Sequence, residues 1–86
     1  MFNIQFTEHA VDDLQFFPAF EQKQILAEIE SHLTVHAGQE SENQKRLRPD
    51  GLAEWTIRLG GVRVFYDVDL ANQIVKIEAV GRKMFI

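Results

Sequence analysis

The sequence predicts a single α+β domain, in which one strand and two helices precede a three-stranded antiparallel meander (β-α-α-β-β-β). Residues 62 to 69 alternate apolar and polar side chains as a strand does, whereas residues 8 to 36 place apolar side chains at helical spacing. The strand-like runs after residue 52 are separated by only two or three residues, so neighbouring strands must be antiparallel. The two-helix hairpin then covers one face of the sheet and leaves the other face open.

Length and composition fit one globular domain spanning residues 1–86. A chain of 86 residues can bury one hydrophobic core, and 45% of its residues are hydrophobic. The chain has no cysteine, which permits a reducing compartment, and no apolar run approaches the roughly 20 residues of a membrane-spanning helix. Because the first residues, MFNIQF, also lack the features of a signal peptide, we expect a cytoplasmic protein that does not bind membranes.

The first half is predicted to form one strand and two helices. The run FNIQF alternates three apolar residues with two polar ones, as a strand with one buried face does. Thr7 is suited to cap a helix that begins at Glu8 and ends by Pro18. A second amphipathic helix is predicted from about residue 20 to residue 36, with Gly38 as its stop.

The second half is predicted to form a loop and three strands. The segment GQESENQK is polar and aperiodic, so we interpret it as an exposed, mobile loop. The Pro-Asp-Gly sequence in RLRPDGL indicates a turn. The strands AEWTIRL, VRVFYDVD and QIVKIEAVG follow, with a tight hairpin predicted at Gly60-Gly61.

Alternation along these strands assigns the two faces of the sheet. Trp55, Tyr66 and the valine and isoleucine residues fall on the face predicted to pack against the helices. The open face is predicted to present Thr56, Arg58, Arg63, Phe65, Lys76 and Glu78. A one-residue shift in register would expose the valines, so we expect this assignment to hold.

The net charge of −4 conceals an uneven distribution of charge. Residues 1–44 contain one basic and eight acidic residues, whereas residues 45–86 contain eight basic and five acidic residues. This asymmetry suggests a polyanion-binding surface in the second half. The acidic helices are interpreted as a solvated face or, alternatively, as part of a surface for a basic or amphipathic partner.

Some candidate sites have simpler structural explanations. His32 and His36 lie four residues apart with Glu28 one turn earlier, which is a metal-compatible spacing, but no further ligand is evident. We therefore expect no metal site there. From the residues alone, Arg63 would be interpreted as an ordinary surface residue paired with Asp67 or Glu78.

The segment KRLRPDGLAEWTIRLGGVRVFYDVD, together with VGRK near the C-terminus, resembles the RelE/ParE superfamily of bacterial toxins from type II toxin-antitoxin modules. The resemblance spans essentially the whole chain and implies a RelE-like fold, in agreement with the predicted order of elements. In RelE-type members, basic residues on the open sheet face orient mRNA in the ribosomal A site while a 2'-hydroxyl attacks the neighbouring phosphate. The resemblance therefore implies an mRNA endoribonuclease that needs no metal or other cofactor.

The resemblance also implies roles for individual residues. It assigns catalytic roles to Arg58, Arg63 and Lys83. The residues expected to bind RNA are Arg46, Arg48, Phe65, Lys76 and Arg82. Because arginine stays protonated, Arg58 and Arg63 would stabilise phosphate without transferring protons, which leaves that task to Lys83. Thr56 stands where the best-studied branch has a further basic residue.

The expected partners are a cognate antitoxin, the ribosome and mRNA, and the resemblance leaves both a homodimer and a toxin-antitoxin hetero-oligomer open. Two other functions also remain open. One is a ParE-type inhibitor of DNA gyrase without a catalytic site, and the other is a degenerate member that retains only antitoxin binding. Nucleic-acid affinity would separate them, because phosphate contacts give binding a steep dependence on salt.

Overall fold

In a computed structural model, which describes residues 1–47, 51 and 53–82, the chain forms a five-stranded sheet with two helices on one face. The elements are β1 (Asn3–Phe6), α1 (Glu8–Leu14), α2 (Ala19–His36), β2 (Gln44–Arg46), β3 (Trp55–Leu59), β4 (Val62–Asp69) and β5 (Ile74–Arg82). The strand order is β1-β5-β4-β3-β2, with β1 parallel to β5 and every other pair antiparallel. The predicted α+β class, with its helical hairpin on one face, is confirmed.

The sheet contains one strand more than the sequence predicts. Residues Gln44–Arg46 form β2 and pair with β3, so the interpretation of residues 38–45 as a mobile loop is wrong for the last two of them. Gln44 is only 5% exposed, and its Nε2 donates to the carbonyl oxygen of His36 at 2.8 Å and to the Tyr66 hydroxyl at 3.2 Å. Polar contacts position this strand, which explains why its sequence shows no apolar alternation.

The hydrophobic core lies between α2 and the covered face of the sheet. Ile25, Ile29 and Leu33 recur every four residues along α2 and are buried. They belong to one cluster with the sheet residues Trp55, Ile57, Val64, Tyr66, Val75 and Ile77. Burying a side chain of this size contributes about 1.5–3 kcal/mol, so this cluster fixes which face of each strand points inward. In the described parts of the chain, no helix combines the length and apolar character needed to cross a membrane.

Helix α1 is held against β5 by polar contacts as well as by packing. The hydroxyl of Thr7 accepts the N–H of Ala10 at 3.1 Å, which caps the helix as predicted. The same hydroxyl donates to the carbonyl oxygen of Glu78 at 3.3 Å. Further along, Asp13 Oδ2 accepts the N–H of Val80 at 2.9 Å. These contacts join the start and the end of α1 to one stretch of β5.

Tyr66 joins three elements at the centre of the fold. Its side chain is fully buried, and its hydroxyl donates to the carbonyl oxygen of Ala37 at 3.1 Å while accepting from Gln44. Burial raises the pKa of the Tyr66 phenol above its ordinary value, and the hydrogen bond from Gln44 acts in the opposite direction. The hydroxyl therefore ties β4 to β2 and to the residue after α2.

Strand β5 contains an irregularity in its pairing that the sequence pattern does not predict. Phe65 lies opposite Ala79, but the next residue, Tyr66, lies opposite Ile77, so the register passes over Glu78. One extra residue on one strand is a β-bulge, and it reverses the face on which every later residue of that strand lies.

The bulge places two carboxyl groups side by side on the open face. A hydrogen bond with Asp67 is the largest cause that raises the pKa of Glu78, with smaller contributions from burial and from the charge of Asp67. Lys76 acts in the opposite direction. The pair is therefore easiest to accommodate when Glu78 carries a proton.

The Tyr66 network predicts a strongly coupled loss of stability. Tyr66→Phe removes the hydroxyl and leaves the Ala37 carbonyl and the Gln44 amide without this partner, so we expect a loss of about 1–3 kcal/mol in the free energy of unfolding. Gln44→Leu should cost a similar amount, and the double variant less than the sum of the two. Denaturant unfolding of the wild type, the two single variants and the double variant measures these free energies. If the loss in the double variant equalled the sum of the two single losses, the proposed hydrogen-bond network would be wrong.

The Glu78 carboxyl predicts a stability that falls as pH rises. Because its pKa is raised in the folded state, the folded protein binds more protons between the ordinary pKa of a glutamate and the raised value. The raised pKa therefore has no effect on the protein's stability at pH values below the ordinary pKa. As the pH rises from the ordinary pKa to the raised one, the stability decreases. Glu78→Gln should be more stable than the wild type at neutral pH, and the advantage should vanish near about pH 3.

Unfolding midpoints measured across this pH range test the Glu78 prediction. Glu30→Gln, which neutralises an exposed carboxyl on α2, is the matched control and should show no such trend. A Glu78→Gln advantage that is the same at acid and neutral pH would argue against the carboxyl pair.

Candidate nucleic-acid interface

Arg58 of β3 and Arg63 of β4 lie directly opposite each other in the hairpin register. The turn between the two strands is tight, because Gly60 has a φ of 62°, a left-handed conformation that glycine adopts readily. Ile57 and Val64, the strand neighbours of the two arginines, are buried under the helices. Both arginines are therefore exposed on the open face, as the alternation predicts.

This pairing of arginines is unfavourable unless an anion neutralises it. Like charges directly opposite on neighbouring strands repel. Within residues 1–47, 51 and 53–82, neither guanidinium forms an ion pair with a carboxylate, so the pairing of Arg63 with Asp67 or Glu78 is not observed. Two adjacent guanidinium groups can together bind one phosphate through several charge-assisted hydrogen bonds.

The two arginines line a shallow depression with a volume of about 230 Å³. Its lining comes from β3, β4, β2 and the residues flanking β2. The lining residues are Glu42, Asn43, Lys45, Leu47, Thr56, Arg58 and Arg63. The depression is thus a site formed by three strands, and three of the seven described side chains that line it are basic.

The turn before β2 supports Arg58. The backbone carbonyl of Asn43 accepts the N–H of Arg58 at 2.9 Å, and Asn43 Oδ1 lies 3.5 Å from Arg58 Nη2. The turn is closed on itself, because Ser41 N–H donates to the Gln44 carbonyl at 2.9 Å and Gln44 N–H donates to Ser41 Oγ at 3.2 Å. A segment predicted to be a mobile loop is therefore a hydrogen-bonded support for the site.

Thr56 occupies the floor of the depression between two neighbours. In the sheet register it lies opposite Lys45 on one side and Phe65 on the other. Its Oγ1 is buried and has no hydrogen-bond partner within the described part of the chain. Phe65 is half-buried on the same face, where its ring is positioned beside the depression and not within its lining.

Lys76 lies on the open face, in a region that it shares with the acidic residues Glu54, Asp67 and Asp69. It is directly opposite Asp67 in the β4–β5 register, and its charge lowers the pKa of Glu78. Asp67 also accepts the N–H of Glu54 through Oδ1 at 2.8 Å. The positive charge of Lys76 is therefore offset by nearby carboxyl groups, unlike the charges of Arg58 and Arg63.

Arg46 does not line the depression. It shares its side of β2 with the buried Gln44 and lies opposite Trp55, which is in the core. Its Nη2 is 3.7 Å from Glu54 Oε2. The structure thus separates Arg46, which is expected to bind RNA, from Arg58 and Arg63.

Arg82 also lies on the helix side, because the bulge at Glu78 reverses the face of the residues that follow it. Its Nη1 and Nη2 are 3.1 and 3.0 Å from the carboxylate oxygens of Glu21, and its guanidinium carbon is 4.7 Å from the centre of the Phe17 ring. This bidentate pair attaches the end of β5 to α2. The expected positions of Arg48 and Lys83 lie outside the described residues.

Lys45 is the basic residue that sequence reasoning missed. It lines the depression with Arg58 and Arg63, although its segment reads as a loop. Its direction follows from the burial of Gln44 beside it, and that burial depends on the hydrogen bond to Tyr66, 22 residues away in sequence. No local pattern in the sequence carries this information.

His32 and His36 do not form part of a recognisable metal site in the described parts of the chain. Both side chains are on the exposed part of α2. Over residues 1–47, 51 and 53–82, no three histidine or acidic side chains converge in a geometry that could hold a metal ion.

Comparison with known proteins identifies the family. The sequence model of the ParE toxin of type II toxin-antitoxin systems, parDE, matches residues 4–84. A search of curated proteins finds no match. The toxin-antitoxin complex RelBE2 from Mycobacterium tuberculosis contains a chain with a TM-score of 0.82 and 22% identity, covering 95% of this chain and 98% of that one.

Two further solved structures share the fold. A chain of the archaeal RelE-RelB complex from Pyrococcus horikoshii gives a TM-score of 0.76 at 21% identity, covering 99% of this chain and 98% of that one. The isolated RelE toxin of E. coli gives a TM-score of 0.73 at 20% identity, covering 100% of this chain and 88% of that one. These likenesses confirm the predicted RelE-like fold, and the family match extends over nearly the whole sequence. The chain therefore belongs to the ParE toxin family of type II toxin-antitoxin systems.

Proposed function

We propose that this toxin is a ribosome-dependent mRNA endoribonuclease, in which Arg58 and Arg63 bind the phosphate at the cleaved bond. The observation that supports this proposal best is the direct pairing of two arginines that have no carboxylate partner in the described part of the chain. Folding alone does not favour such a pair. A bound phosphate would neutralise it and could accept hydrogen bonds from both guanidinium groups on the open face.

The proposed reaction uses the RNA's own nucleophile. The 2'-oxygen attacks the neighbouring phosphorus and loses its proton to solvent water. A 2',3'-cyclic phosphate forms, and the bond to the 5'-oxygen breaks as that oxygen takes up a proton. Negative charge on the non-bridging oxygens increases during the attack, and a preorganised donor at that position typically contributes roughly 10²- to 10³-fold in rate.

The guanidinium groups and the lysine would have different tasks in this reaction. Arg58 and Arg63 remain protonated, so they would orient the phosphate and stabilise its charge. Lys83, which lies outside the described residues, is proposed to protonate the leaving oxygen. Arg63, on the central strand β4, is expected to matter more than Arg58.

A cognate antitoxin is the second partner that we propose. Phe16, which lies between the two helices, is 87% exposed, and Phe20, in the first turn of α2, is 70% exposed. Such exposure is unusual for large aromatic side chains. The helices that carry this apolar surface are acidic. A basic or amphipathic antitoxin segment would complement both features. The similar chain from Mycobacterium tuberculosis belongs to a toxin-antitoxin complex, and the one from Pyrococcus horikoshii belongs to a RelE-RelB complex.

The paired arginines predict which substitution abolishes activity. Arg63→Ala should remove growth arrest and lower ribosome-dependent mRNA cleavage by roughly 10²- to 10³-fold, because the transition-state charge loses a donor. The residue is exposed, so the variant should fold normally and still bind its antitoxin. Cleavage of a defined mRNA on purified ribosomes measures the effect.

Arg46→Ala is the matched control for this experiment, because it removes an arginine that pairs with Glu54 and does not line the depression. It should reduce cleavage far less than Arg63→Ala does. If Arg63→Ala stayed fully toxic, or if the wild type blocked DNA supercoiling by gyrase and left mRNA intact, the nuclease proposal would be wrong.

A further inference from the structure

Lys45 is fixed in direction by its neighbours in β2. Gln44, the residue before it, is held in the core by hydrogen bonds to Tyr66 and to the His36 carbonyl. Because successive side chains of a strand point to opposite faces, Lys45 must emerge on the open face. It lies directly opposite Thr56, which in turn lies opposite Phe65 on the next strand. Its ammonium therefore enters the depression from the edge of the sheet.

Among the described residues, three cationic side chains line this one depression, namely Lys45, Arg58 and Arg63. None of the three forms an ion pair among the residues that the structure describes. Glu42 also lines the depression, yet it too makes no ion pair with any of them. A concentration of like charge of this kind attracts a polyanion and is costly without one.

The opposite end of the open face is acidic, which limits the path that a polyanion can take. Asp67, Asp69 and Glu54 line the surface around Lys76, and Glu78 is beside Asp67. A phosphate chain leaving the arginine pair in that direction would meet carboxylates. The direction toward β2 offers the ammonium of Lys45 instead.

We propose that Lys45 is a third phosphate-binding residue and that the RNA backbone crosses the sheet from Arg63 over Arg58 toward Lys45 at the β2 edge. This inference rests on the proposed function, because it assigns one more contact to the same substrate. Lys45 holds a phosphate adjacent to the one bound by the arginines, and its flexible ammonium can follow the backbone where a planar guanidinium cannot. Thr56, whose hydroxyl has no hydrogen-bond partner in the part of the chain that the structure describes, lies beneath that path.

The test is binding of a 2'-O-methylated, and therefore uncleavable, single-stranded oligoribonucleotide at several salt concentrations. Lys45→Gln should lower the affinity about tenfold, the loss typical of one hydrogen bond to a charged group. It should also reduce the slope of log affinity against log salt by about 0.7, as one lost phosphate contact predicts. Lys45→Arg should retain most of the affinity.

Two further variants separate position from total charge. Lys23→Gln removes an exposed ammonium from α2 and should leave affinity and slope unchanged. The exchange Lys45→Thr with Thr56→Lys moves the ammonium across one strand pair and should recover affinity to within about threefold of the wild type. Equal effects of Lys23→Gln and Lys45→Gln would overturn the assignment, because they would indicate a non-specific charge effect.

The outcomes also distinguish this inference from the function on which it rests. If Arg63→Ala weakens RNA binding and ribosome-dependent cleavage but Lys45→Gln does neither, the third contact is wrong and the nuclease proposal stands. If the wild type neither binds the oligoribonucleotide nor cleaves mRNA, both are wrong. Unfolding midpoints of Lys45→Gln, Lys45→Arg and Lys23→Gln should match the wild type, since both lysines are exposed.

Discussion

The register of the β3–β4 hairpin is the constraint on which the rest of the structure depends. Ile57 pairs with Val64 inside the core, and Arg58 pairs with Arg63 on the open face, so one register determines both sets of contacts. A shift by one residue would exchange them, burying two guanidinium groups and exposing the aliphatic side chains. Hydrophobic burial on one face therefore maintains an electrostatically unfavourable pair on the other.

The sequence predicts those parts of the fold in which burial follows a regular period. The alternation in VRVFYDVD and WTIRL and the spacing of Ile25, Ile29 and Leu33 are local patterns, and the structure confirms the strands, the helix and the faces that they indicate. The placement of Arg58 and Arg63 follows from the same alternation. Their positions required no knowledge of any distant contact.

The features that were missed depend on contacts between distant residues. Strand β2 is held by hydrogen bonds between Gln44 and Tyr66, so its three polar residues carry no periodic signal. The bulge at Glu78 is an irregularity in pairing, and only the register of both strands reveals it. As a result, the sequence does not reveal that Arg82, which is expected to bind RNA, lies on the helix side, or that Lys45 lines the depression.

These corrections change the expected distribution of charge without changing the family. The open face has a compact basic depression at the β2–β4 end and an acidic cluster around Asp67 and Glu78 at the other end. The acidic net charge of the chain is therefore compatible with a local site for phosphate. Two arginine side chains instead support the fold, because Arg82 pairs with Glu21 and Arg46 with Glu54.

The most direct test of this account compares the free energy of unfolding of the wild type and of Arg63→Gln, each with and without an uncleavable oligoribonucleotide at low salt. Without RNA, the variant should be at least as stable as the wild type, because the substitution removes repulsion between paired arginines. With RNA, the wild type should gain more stability, because it binds the ligand more tightly. A variant that is less stable without RNA, and that gains as much from RNA as the wild type does, would show that Arg63 serves the fold and not a phosphate.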